Sequence, residues 1–189
     1  MTEQTERKQR ALAILQDADR ELDGWSCDAS TECCRFAITG REPWVTQVEW
    51  QLVVDETARQ GRRLPPMPTS DDERCPFLAP LPAGPAGSGV AAAAGKAKHE
   101  GGRCTVYASR PLGCRTFFCE RARDNDGNQG PPSTSTRELR EAARSLDALK
   151  TREGAGDDDG KARPLRSWLR AALGSKLGSK MRSKISARR

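Results

Sequence analysis

The run Cys104-Thr105-Val106-Tyr107-Ala108-Ser109-Arg110-Pro111-Leu112-Gly113-Cys114-Arg115-Thr116-Phe117-Phe118-Cys119 puts three cysteines, three aromatic rings and two arginines into sixteen residues. Upstream of it stand Cys27, Cys33 with Cys34, and Cys75, so four separate segments supply the chain's seven cysteines. Eight of the nine aromatic residues fall between Trp25 and Cys119 as well. With 35% hydrophobic residues and a mean hydropathy of −0.75, the chain has material for only a small core, and it lies in this stretch.

The first ten residues are polar and charged, unlike a secretory signal, and no window approaches the roughly 18 apolar residues of a membrane-spanning helix. The expected location is cytoplasmic. In a reducing compartment a cysteine-dense segment points to metal or redox chemistry before a disulfide framework, and seven is an odd number to pair. Thiolates are soft, charged donors for zinc or iron. Packing alone is a poor account of seven buried thiols beside so thin an apolar core. The candidate ligands are Cys27, Cys33, Cys34, Cys75, Cys104, Cys114 and Cys119. None of them forms the paired CxxC knuckles of a zinc finger. Neighbours on an extended backbone point apart, so Cys33 and Cys34 are not expected to grip one ion together.

Three features extend this reading. Cys27-x5-Cys33-Cys34, Cys75-Pro76-Phe77-Leu78, and C-x-x-Y-x-x-R-P-x-x-C-R-x-F-x-C from Cys104 to Cys119 resemble the YkgJ-type cysteine-cluster family. That family is described as a zinc- or iron-chelating domain and includes flagellin lysine N-methylases. The resemblance covers about half the chain and implies a metal site, with an enzyme of the methylase kind as one alternative. The family's opening CxxCxxCC appears here with Ser30 at its second cysteine, and a serine hydroxyl is a poor zinc or iron ligand. Zinc would make the site a structural staple; an iron-sulfur cluster would point to electron transfer or an oxygen-sensitive enzyme. No G-x-G-x-x-G nucleotide motif accompanies it.

Near the cysteines, Arg35, Arg110 and Arg115 either favour thiolate ionisation or hold turns. Glu32, Glu42 and Glu120 read as solvated surface and His99 as an exposed loop residue.

The fold class predicted is a small α+β, cysteine-rich, metal-stapled domain with short strands and flanking helices. Residues 1–23 form an N-terminal amphipathic helix through Ala11, Ile14, Leu15, Ala18 and Leu22. Residues 24–150 form the cysteine-cluster domain. Within it, Arg35 to Thr39 reads as β-prone, and a helix from Pro43 to about Arg59 presents Trp44, Val45, Val48, Leu52 and Val53. Cys75–Leu78 and Arg103–Tyr107 are extended segments pairing across an Ala-, Gly- and Pro-rich disordered insert, 79–102. A helix over about 135–150 carries Leu139, Ala142, Ala143, Leu146 and Leu149 on one face.

Residues 151–163 are an acidic, glycine-bearing linker, and 164–189 a detached, basic amphipathic tail. From Lys161 onward there are ten Lys or Arg and no acid, which leaves four net negative charges on the first 160 residues of a chain whose total is +6. Such a tail suits nucleic-acid phosphates or an anionic membrane surface; its plainer role is to cover the core.

Overall fold

The computed structural model describes residues 2–22, 34–68, 74–80, 102–116, 136–149 and 161–174. It is an α+β fold in which helices dominate and the strands are short. Helix α1, Glu3–Glu21, begins where the Thr2 side chain accepts from the Thr5 amide, and it buries Ala11, Leu15 and Ala18 at helical spacing. Helix α3, Gln47–Arg59, opens with a capping box: the Thr46 side chain accepts from the Glu49 amide while the Glu49 carboxylate accepts from the Thr46 amide. Helix α5, Thr136–Ala148, lies against α1.

α3 is apolar on two sides, and each side belongs to a different cluster. Val48 and Leu52, four residues apart, meet Ala11, Leu15, Ala18, Leu112 and Leu146. Trp50, Val53 and Val54 turn the other way, to Val45, Phe77, Val106, Leu165, Trp168 and Leu169. A helix flanked by two packed layers needs apolar residues around much of its circumference, which accounts for its richness in Val, Leu and Trp.

Two antiparallel strand pairs complete the fold. β1, Trp44–Val45, pairs with β4, Arg163–Pro164; β2, Leu78–Pro80, pairs with β3, Gly102–Cys104. A Cβ added at Gly102 would sit 2.6 Å from Leu78 Cδ1 and 3.1 Å from the Ala79 carbonyl oxygen, so a side chain there would have to displace Leu78 and crowd the β2 backbone.

Several expectations change. Phe36–Thr39 is one helical turn, α2, ended by Gly40 in the left-handed conformation (φ 62°), not a β segment. Pro43 lies ahead of α3; the Thr46–Glu49 box sets the helix start instead. Trp44 consequently leaves the helical stripe and points outward, 64% exposed, while its strand neighbour Val45 is fully buried. On α5, Ala143 is exposed while Leu139, Ala142, Leu146 and Leu149 join the α1 side.

The paired segments flanking the insert are present, shifted to 78–80 and 102–104; residues 81–101 lie outside the described residues.

The largest correction concerns the tail. Residues 163–174 are not detached: α6, Leu165–Gly174, buries Leu165, Trp168 and Leu169 in the same cluster as Trp50 and Phe77. The Trp168 Nε1–H donates to the Val45 carbonyl at 2.7 Å, and the Leu165 amide donates to the Pro43 carbonyl at 3.0 Å. The Leu165, Trp168, Leu169, Ala172 stripe supplies enough apolar surface to outweigh the surrounding positive charge. Residues 175–189 lie outside the described residues. Among the described residues, no helix is long and apolar enough to cross a membrane.

Candidate metal centre

Cys34, Cys75 and Cys104 come from three segments that the backbone laces together. Arg35 and Arg74 face each other in an isolated antiparallel bridge, and the Cys75 amide donates to the Cys34 carbonyl at 2.7 Å. The chain then turns, with the Leu78 amide donating to the Cys75 carbonyl at 3.0 Å, and enters β2. In the β2–β3 register Leu78 lies opposite Cys104, and the Thr105 amide and hydroxyl both donate to the Phe77 carbonyl, at 2.9 and 3.1 Å. Phe77 fixes this knot to the core: it is 3% exposed and meets the Trp50 ring edge-on, centroids 6.3 Å apart. Cys75 and Cys104 pack at the margin of that cluster, and Cys34, Cys75 and Cys104 are half-buried thiols without disulfides.

Cys114 stands on a different element. Helix α4, Leu112–Arg115, docks beside β1, where a Cβ on Gly113 would come within 3.3 Å of Pro43 Cβ. Its first amide, Leu112 N–H, donates to Glu49 Oε1 at 2.7 Å, and Leu112 itself belongs to the α1 side of the core. Cys114 is likewise half-buried and outside any disulfide. Cys27, Cys33 and Cys119 lie outside the described residues, as do Ser30, Glu32, His99 and Glu120. Among the described residues, no three Cys, His, Asp or Glu side chains are grouped to hold a metal ion.

Two of the arginines near the cysteines, Arg110 and Arg115, fix the segment around Cys114. Arg115, 6% exposed, donates from Nε to the Arg110 carbonyl at 2.7 Å and from Nη2 to the Ala108 carbonyl at 2.9 Å, and pairs through Nη1 with Asp19 of α1. Arg110 reaches the same carboxylate at 3.8 Å and lies 4.0 Å from the Tyr107 ring centre. The R-P-x-x-C-R run is therefore a turn tied by its own side chains and pinned to α1. Glu42 is not solvated surface: it accepts from the Arg166 backbone amide and, at 3.0 Å, from Arg166 Nε, fastening α6. Glu49, 2% exposed, and Glu56, 9% exposed, are buried carboxylates that sequence reasoning missed; for Glu49, T-x-x-E at 46–49 was the signal.

Comparison of the chain with family models, curated proteins and solved structures found no match. The chemistry of the site thus rests on its own donors. Soft thiols at the edge of an apolar cluster suit zinc or an iron-sulfur centre, and the lacing brings together the backbones of three donor segments. A four-ligand site needs more than these three side chains.

Beside this knot, the end of α3 and β2 enclose a groove of about 270 Å³. Gln60 bridges its two walls, donating to Glu56 Oε1 at 2.6 Å and to the Thr105 carbonyl at 2.9 Å. Arg59 also donates twice to Glu56, and this hydrogen bonding holds the Glu56 carboxyl below its ordinary value of 4.5 against the opposing effect of burial.

Proposed function

We propose that this chain is a cysteine-cluster metal-binding protein of the YkgJ type, carrying zinc or an iron-sulfur centre. The observation that carries the reading is the lacing of the Cys34, Cys75 and Cys104 segments through the Cys75–Cys34 backbone bond and the Leu78–Cys104 register. Segments far apart in sequence are joined there through their backbones, and each carries a half-buried cysteine outside any disulfide. Under this proposal the ligands are drawn from Cys27, Cys33, Cys34, Cys75, Cys104, Cys114 and Cys119. A bound metal would close several chain loops at once and so add folding free energy to a chain with a small apolar core. The resemblance in the C-P-F-L and C-x-x-Y-x-x-R-P-x-x-C-R motifs supports the same reading.

The test is metal and acid-labile sulfide content, with an absorbance spectrum, on protein purified without oxygen. Iron with sulfide and a visible charge-transfer band identifies a cluster. Stoichiometric zinc without colour identifies a staple. Folded protein that neither contains nor takes up zinc or iron overturns the proposal.

A further inference from the structure

The groove between the end of α3 and β2 has a charge pattern that the cysteine reading does not use. Arg62 and Arg63 line it, and among the described residues no acidic one does. Arg103 lies directly opposite Ala79, another lining residue, in the β2–β3 register. Arg103 is not itself a lining residue, but it stands in the strand that borders the groove, between Ala79 across the register and the lining Thr105 two positions on, and so adds a third cation at the groove's edge. All three arginines are exposed. Other arginines of this fold have found carboxylates: Arg7 with Glu3, Arg59 with Glu56, Arg115 with Asp19 and Arg166 with Glu42. Among the described residues, Arg62, Arg63 and Arg103 have no ion-pair partner.

The walls identify the kind of anion. They are built from Pro65, Pro76, Leu78 and similar aliphatic surface, and the one aromatic residue lining the groove, Phe77, is 3% exposed. Binding of single-stranded nucleic acid relies on open rings for base stacking, which this groove does not present. Guanidinium groups form paired hydrogen bonds with carboxylates as well as with phosphates, and the proline walls, which suit small apolar side chains between the anions, favour a peptide as their carrier.

We infer that this groove is a docking site for an extended acidic peptide of a partner protein, its Asp or Glu side chains held by Arg62, Arg63 and Arg103 and its small apolar residues seated on the proline wall. The inference is independent of the metal reading.

The test uses the full chain and a fluorescein-labelled peptide alternating Glu and Ala over about ten residues, long enough to span the groove. Anisotropy is compared with that of the Gln-for-Glu peptide and repeated on the Arg62→Gln/Arg63→Gln/Arg103→Gln variant. Because all three side chains are exposed, the variant is expected to keep its circular dichroism and melting temperature. Saturable binding that weakens roughly tenfold or more in the triple variant and for the Gln peptide, and that falls as salt rises from about 50 to about 300 mM, supports the site. Absence of saturable binding, equal binding of the Gln peptide, or an undiminished triple variant overturns it. Displacement of the peptide by oligothymidylate that binds more tightly and depends on the same arginines overturns it in favour of nucleic acid.

Discussion

Replacing Trp168 by alanine separates a built-in α6 from a detached one. The side chain is 5% exposed, shares a cluster with Val45, Trp50, Phe77, Val106, Leu165 and Leu169, and donates its indole N–H to the Val45 carbonyl at 2.7 Å. Truncating a buried aromatic residue to alanine costs about 3–5 kcal/mol through lost transfer energy and the cavity left behind. In a chain of this size each kcal/mol lowers the melting temperature by about 2–4 °C, so the expected fall is about 6–20 °C. Trp168→Phe keeps most of the apolar volume and removes the donor, leaving the Val45 carbonyl short of a partner at about 1–2 kcal/mol. The assay is thermal unfolding followed by far-ultraviolet circular dichroism, with urea midpoints as a check on the order wild type, Trp168→Phe, Trp168→Ala. A Trp168→Ala protein melting within about 1 °C of wild type refutes the reasoning, because a helix outside the cooperative unit loses no core on truncation.

Three other outcomes are expected. Glu49→Ala strips the carboxylate that accepts from the Thr46 and Leu112 amides, leaving both without that acceptor while the Thr46 side-chain cap remains, and should cost about 2–4 kcal/mol in urea unfolding; Glu49→Gln, which keeps an acceptor oxygen, should cost less. Cys75→Ser and Cys104→Ser should each lower bound metal per chain, measured by elemental analysis, while Ser26→Ala should leave it unchanged; full metal content in both cysteine variants counts against the proposed ligands. Glu56 has its folded-state pKa lowered, mainly by the Arg59 hydrogen bond, so its stabilisation is present above the unfolded value of about 4.3 and is lost as pH falls through the folded value. The stability gap between wild type and Glu56→Gln should therefore narrow between about pH 5 and about pH 3, and a gap that widens on acidification contradicts this sign.

What could be read beforehand was mostly local. The Ala11, Leu15, Ala18 spacing of α1 and the Val48, Leu52 spacing of α3 announce themselves because a helix repeats within a few residues. The two-residue strands β1 and β4 have no period to detect, and their pairing depends on residues more than a hundred positions apart. Phe36 to Thr39 carries β-branched residues, yet strand preference reflects neighbours that a single segment does not reveal; Gly40 offered the left-handed stop that ends a helical turn. In α6 the apolar stripe was visible, but its partners were not, and the surrounding arginines drew attention to outside ligands. Arg166 in fact turns inward to Glu42.

For the site, the pairing of the segments around Cys75 and Cys104 was legible beforehand. Cysteine spacing could not reveal that Cys114 rides on a helix anchored by Glu49, since that link is a single hydrogen bond spanning 63 positions.

The pairing of β1 with β4, and of Trp168 with Val45 across 123 positions, also has a consequence for synthesis. A ribosome delivers Val45, Trp50 and Val53 well before it delivers Leu165, Trp168 and Leu169, the residues that cover them. Until they emerge this face of the nascent chain lacks its covering layer, and the last apolar contacts close only after a long loop has been drawn shut. Chains arrested before residue 165 are therefore the species most exposed to aggregation and the natural clients of a chaperone acting near the exit tunnel.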